Sequence, residues 1–269
     1  MKNTIRLALA LLCCFSVYAT GVSVAHAEAE EITNRDNPGL TQEEAVVAEA
    51  LSIRAKQLEI SRRIKFGDDW QPKVSIISIF SSYATGGIDG LYVAETQTIC
   101  IATRIMYELN ARFRMPLHLL TADTLARDPQ FGRLADHELG HALSDLVSRR
   151  IRKKPFFTVV QFEALSPEEQ LGLNIVAEGV GTFFERTYYP TNDQLSEIAF
   201  PSTLEEQRFY SYEIVAFEGG YWLVKDVLEQ YGELGLKWLI NNPFVASGTD
   251  MRAAAVSYRL RALQELARL

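Results

Sequence analysis

Cysteine is nearly missing. The 269-residue sequence holds three, and two of them, Cys13 and Cys14, lie in an apolar run close to the first residue. A disulfide-stapled scaffold is therefore excluded. Positive charge is also short, with 27 Lys and Arg against 34 Asp and Glu, a net charge of −7 and a pI near 5.3. That balance removes the general electrostatic footprint of a nucleic-acid binder. Beyond the first residues there is no second apolar run of membrane-spanning length, no internal repeat and no low-complexity tract. What remains is ordinary globular composition, 48% hydrophobic and 23% charged, in a chain long enough to bury a substantial core unaided. A metal bound here is expected to serve chemistry rather than folding.

Lys2 and Arg6 precede an apolar run from Leu7 to Ala19, and Ala25-His26-Ala27 has the small-x-small pattern of a signal-peptidase site. Residues 1–27 are expected to be a signal peptide cleaved after Ala27, exporting the chain to a bacterial periplasm or the exterior with no membrane span left behind. Thr20, Gly21 and Ser23 interrupt the run and disfavour a retained anchor. Removing it takes two positive charges and no acid, so the charge becomes 25 − 34 = −9. Cys100 is then the one thiol, in the strand-like Thr98-Ile99-Cys100-Ile101, and is expected to be buried. Residues 28–40 read as a flexible polar leader, and 41–269 as a single domain.

Thr41-x-x-Glu44 is a capping box opening a long helix to about Phe66. Lys73 to Phe80 reads as a strand, and Leu91–Val93 and Thr98–Ile101 as two more joined by a polar turn. Helices are then expected from Ala102 to Arg114, from after the Pro129 region through Leu134 to Arg150, from the Ser166-Pro167-Glu168-Glu169 start to about Tyr188, from Leu204 to Tyr231, and from the Asp250 cap to Leu269. The basic run Arg149 to Lys154 reads as a solvated helix end. The fold class is α+β: a small β region with a hairpin, then a mostly helical half.

Within the Leu134–Arg150 helix stands Asp136-His137-Glu138-Leu139-Gly140-His141-Ala142-Leu143-Ser144-Asp145. Residues four apart share a helix face, so His137 and His141 can aim at one ion while Glu138 sits beside the water it binds. Leaving out His26 of the leader, the chain has only His118, His137 and His141, and two of these three fall at the ligand spacing. His118, among Pro116 to Leu120, reads as structural. A third ligand is offered by Ala177-Glu178-Gly179-Val180-Gly181 on the next helix. A carboxylate among Ile175, Val176 and Val180 is costly unless paired or bound to a metal. Glu185, seven residues on and on nearly the same face, is the runner-up, expected instead to pair with Arg186 or another surface charge. Two His and one Glu leave an open zinc position, as a catalytic site requires.

These segments resemble the gluzincin clan of zinc metallopeptidases. HELGHALSD is similar to the thermolysin-like active-site helix at His137, Glu138, Leu139, His141, Ala142 and Asp145. AEGVGTFFE is similar to the Glu-containing second helix of the peptidase-MA-like branches, and Leu91–Val93 with Thr98–Ile101 to the zincin strand pair beside the substrate cleft. The resemblance implies a zincin-like fold and one Zn²⁺ per chain held by His137, His141 and Glu178. It also implies a peptide or protein substrate, with Glu138 as general base passing a proton from water to the leaving amine. The chain departs from the clan in three places. Glu178 follows His141 by 178 − 141 = 37 positions, more than in thermolysin-like enzymes, with Phe156 to Leu165 inserted. Thr182 stands where thermolysin-like proteins carry an Asp that orients a ligand His. Phe217 stands where the aminopeptidase branch has an oxyanion-stabilising Tyr, leaving Tyr221, or Tyr210 or Tyr212, for that role. Asp145 is either a second orienting residue or a helix-surface acid. The rival reading is a non-catalytic binding or assembly protein of the cell envelope that keeps the scaffold.

Overall fold

The computed structural model describes residues 41–68, 70–77, 89–156, 158–185, 199–203, 206–212, 214–246 and 250–269. The signal and leader segments, Phe80, Arg186 and the tyrosines at 188 and 189 lie outside them. Thr41 opens helix α1 (Gln42–Arg62) with the expected reciprocal pair: Glu44 N–H donates to Thr41 Oγ1 at 3.2 Å, and Thr41 N–H to Glu44 Oε2 at 2.9 Å. The other Glu44 oxygen accepts from Ile76 N–H at 3.1 Å, so the same side chain ties the helix start to the sheet.

The sheet has three strands, β1 (Lys73–Ile77), β2 (Gly90–Val93) and β3 (Thr98–Ala102), in the order β1-β3-β2. β2 and β3 form the expected hairpin, Val93 opposite Thr98, while β1 runs parallel to β3. β3 is buried at every position because it lies between the other two, and Cys100 is fully buried within it. Among the described residues β2 pairs only with β3, so it is an edge of the described sheet.

Six further helices follow: α2 (Thr103–Phe113), α3 (Ala122–Arg127), α4 (Pro129–Arg152), α5 (Val159–Glu163), α6 (Pro167–Glu185) and α7 (Gly220–Asn241), and α8 (Met251–Leu266) closes the chain. The fold is α+β. Helix α4 starts at Pro129, at the edge of the region from which it was expected, because Asp128 accepts from Gln130 and Phe131 N–H at 3.0 and 2.9 Å and Pro129 fits the first turn. The 37-position interval contains a short helix, α5. One stretch departs more from the expected pattern. In place of a single helix from Leu204 to Tyr231 there is a 3₁₀ turn at Glu206–Phe209, a π-helical turn at Ile214–Gly219, and then α7. Within the α7 span, Gly232 adopts a non-helical φ 51° and ψ −124°, so a first helix ends near Tyr231 as expected and a second runs on from the kink to Asn241.

Helix α4 packs on α6, α6 on α7, and α7 on α8, while α1 lies across α3 and α4. One apolar core runs from Val47 in α1 to Leu266 in α8. The α6–α7 crossing is very close: a β-carbon on Gly179 would strike the carbonyl of Gly220, and one on Gly220 the carbonyl of Ile175. The basic end of α4 is exposed at Arg150, Lys153 and Lys154, as expected, but its guanidiniums also make contacts. Arg149 donates to Ala94 O at 2.5 Å, Arg150 to Lys65 O at 3.0 Å and Arg152 to Ile240 O at 3.2 Å, so three guanidiniums fasten this helix to three other segments. A buried ion pair between Arg54 of α1 and Asp136 of α4 anchors the helix just before His137.

Candidate metal centre

The two histidines of α4 face α6, one turn apart, and their Nε2 atoms lie 3.1 Å from each other. Glu178 comes up from the middle of α6, with Oε2 3.1 Å from His137 Nε2 and 3.8 Å from His141 Nε2. Three electron-rich atoms thus converge on one point. A tetrahedral zinc with N and O ligands at ~2.0–2.1 Å has neighbouring ligand atoms about 3.3 Å apart, close to the separations found. Among the described residues this triad is the group of His, Cys, Asp and Glu side chains able to hold a metal ion.

Packing explains why these side chains meet. A β-carbon on Gly181 would lie 2.7–2.9 Å from three atoms of the His137 ring, so the missing side chain lets the imidazole rest on α6. Phe217, in the π-helical turn, stacks on the same imidazole at 5.7 Å between ring centres, and Tyr212 meets Phe217 edge-on at 6.2 Å. A β-carbon on Gly90, in the edge strand, would lie 2.9 Å from Glu138 Oε1, so the strand backbone passes directly against that carboxylate. Glu138 Oε2 is buried and has no hydrogen-bond partner among the described residues. An orphaned, buried carboxylate oxygen beside three converging ligand atoms fits a site built for an ion and the water it carries.

Three carboxylates, Glu138, Glu178 and Glu185, surround two imidazoles, and this charge distribution drives the ionisation. Burial raises Glu138 to about 8, with Glu178, Glu185 and Asp89 adding to it while His137 opposes. Burial works against a charged His137, but its hydrogen bonds to Glu178 and Glu185 outweigh it and lift this group to about 10. His141 is pushed down to about 4 by burial, with the neighbouring His137 contributing. In the protein without a cation, the excess acid charge is met by a proton on His137. Burial also raises the Cys100 thiol to about 12, with Glu138 and Glu44 adding to the shift.

Of the residues singled out in the sequence, His137, Glu138, His141 and Glu178 are brought together. Glu185 does not coordinate. It accepts from His137 Nδ1–H at 3.2 Å through Oε2, while Arg133 lies 3.3 Å from Oε1. The sequence had placed it on the same face as Glu178 without seeing this partner. Thr182 does not orient a histidine: its Oγ1 is buried without a hydrogen bond among the described residues. Asp145 is a structural anchor, accepting from Tyr92 Oη at 2.9 Å, Arg149 Nε at 2.7 Å and Phe156 N–H at 2.9 Å. Tyr221 lies where it acts electrostatically on Arg62 of α1, with Lys225 Nζ 6.0 Å from its ring. His118 is exposed rather than packed, in a 3₁₀ turn at Leu117–Leu119. The chain matches no protein-family model, no curated protein and no solved structure. No helix among the described residues is long and apolar enough to cross a membrane.

Proposed function

We propose that this protein is a zinc-dependent peptidase with a zincin-like arrangement. The observation that carries the reading is the convergence of His137 Nε2, His141 Nε2 and Glu178 Oε2 beside the orphaned oxygen of Glu138. When bound, zinc supplies Lewis acidity and makes water acidic enough to deprotonate near neutral pH. Glu138 receives that proton and delivers it to the leaving amine, and its burial and raised affinity for protons suit a group that must both take and return one. His137 and His141 hold the ion through Nε2, and Glu178 adds a negative charge that strengthens the site for a divalent cation. The unpaired side of β2 offers backbone groups to an extended chain lying along Glu138, which favours a peptide over a compact small substrate. Phe217 and Tyr212 form an aromatic wall on the His137 side of the site.

The test is zinc content of the purified chain together with cleavage of a peptide library. One zinc per chain, lost in His137→Ala and Glu178→Ala, with cleavage abolished by Glu138→Gln while zinc is retained, is the expected result. Cleavage that persists in Glu138→Gln rejects the assigned base. A second reading, a zinc-binding scaffold without turnover, is favoured by Phe217, a side chain with no hydrogen-bond donor, occupying the wall against His137. That reading predicts the same zinc content with no cleavage in the parent chain.

A further inference from the structure

We propose that Glu185 is the positioning residue of the metal centre, holding the His137 imidazole through Nδ1 so that Nε2 faces the ion, and thereby setting zinc affinity. The inference rests on the metal site of the proposed peptidase and assigns a role to a carboxylate outside its ligand set. Glu178 and Glu185 are separated by two helical turns on one face of α6, and the His137 ring lies between them. Glu178 Oε2 meets Nε2 at 3.1 Å and Glu185 Oε2 meets Nδ1 at 3.2 Å. A carboxylate only accepts, so each favours a proton on the nitrogen it faces; with Glu178 and the Nε2 lone pair given to an ion, the one remaining proton of His137 stays on Nδ1, where Glu185 holds it.

The ring is held on its remaining sides as well. Gly181 lets it rest on α6, and Phe217 stacks on it. Glu185 is held in turn, because Arg133, one turn before His137 on α4, draws its other oxygen. His141 has no such support: among the described residues no side chain or carbonyl meets its Nδ1. Control over ligand orientation is thus concentrated at His137. Thr182, one turn after Glu178, contributes no hydrogen bond to it. A carboxylate that fixes the tautomer and angle of a ligand histidine changes metal affinity by about tenfold to a hundredfold when removed.

The experiment uses the full chain and reads no activity. Zinc dissociation constants are measured by competition with a chromophoric chelator at neutral pH for the parent, Glu185→Ala, Glu185→Gln and Thr182→Val. Visible spectra of the cobalt-loaded proteins report ligand geometry, and melting of the metal-free proteins reports folding. Glu185→Ala is expected to weaken zinc by about tenfold to a hundredfold and alter the cobalt spectrum. Glu185→Gln should fall between it and the parent, since the amide oxygen still accepts from Nδ1–H without the charge. Thr182→Val should bind as the parent does. If Glu185→Gln or Glu185→Ala is folded and binds zinc with parental affinity and an unchanged cobalt spectrum, the positioning role is wrong although the metal site stands. If the parent chain takes up no zinc, the metal-site reading fails and this inference fails with it.

Discussion

Two glycines in one helix are predicted to fail in opposite ways when changed to alanine. Gly179 and Gly181 sit two residues apart in α6, both buried, and by helix propensity alone each change should stabilise by about 1 kcal/mol. What their β-carbons would meet separates them. At Gly179 the obstacle is the backbone of Gly220, which moves only if the α6–α7 crossing opens. Overpacking of that kind costs about 3 kcal/mol or more, so the net loss is about 2 kcal/mol, or roughly 4–8 °C in melting temperature at this size. At Gly181 the obstacle is the His137 ring, 2.7–2.9 Å away. To reach ordinary contact near 3.5 Å the ring must retreat by roughly 0.7 Å, whereas metal sites tolerate about 0.2 Å. Gly181→Ala should therefore melt close to the parent in the metal-free form while losing at least about tenfold in zinc affinity. The assay is thermal unfolding of metal-free protein beside chelator-competition zinc binding. Parental zinc affinity in Gly181→Ala, or parental melting in Gly179→Ala, would refute the close approaches from which these numbers are worked.

Two other predictions concern charge. In the metal-free protein His137 keeps its proton up to about 10 and His141 loses its own above about 4, so zinc must displace one proton from His137 at any pH between these values. Apparent affinity should then rise at least about tenfold per pH unit from roughly pH 6 to 8, and more steeply to the extent that Glu138 gives up its proton as well; competition titrations giving a flat profile would contradict the charge state assigned to His137. The Arg54–Asp136 pair, with side chains 9% and 0% exposed, leaves an uncompensated buried charge if one member is removed. Asp136→Ala should cost about 3–5 kcal/mol in denaturant unfolding, with the Arg54→Met/Asp136→Leu double variant recovering much of it; a loss under about 1 kcal/mol in the single variant would show that the pair is not sealed from water.

The parts of this protein legible in its sequence are those set by neighbours along the chain. Thr41 with Glu44, Ser166 with Glu169, and Asp250 with Ala253 N–H are local caps, and each appears as the spacing required. The ligand pair is legible for the same reason, since His137 and His141 are one turn apart on a single helix. Glu178 needed an inference about burial, and that inference placed it correctly beside both histidines. What sequence could not supply was distance between elements. The role of Glu185 depends on how α6 crosses α4, and the duty of Arg149, Arg150 and Arg152 on which carbonyls lie beyond the helix end.

The crossing that brings the ligands together also concentrates acid charge, and the two effects cannot be separated in this fold. In the proposed peptidase Glu138 must lie on the face shared by His137 and β2 to act as a base, and there it is 4% exposed with one oxygen unpaired among the described residues. Glu178 and Glu185 add two more carboxylates from α6, and the nearby cations are the half-exposed Arg133 and a protonated His137. At neutral pH this balance keeps Glu138 protonated, with its affinity raised to about 8, and so unable to act as a base. A divalent cation among the ligand atoms reverses both conditions, since it displaces the proton from His137 and draws Glu138 back toward the carboxylate. In the proposed peptidase, the same acidic shell that destabilises the empty cluster would thus give the filled one both its affinity and its base.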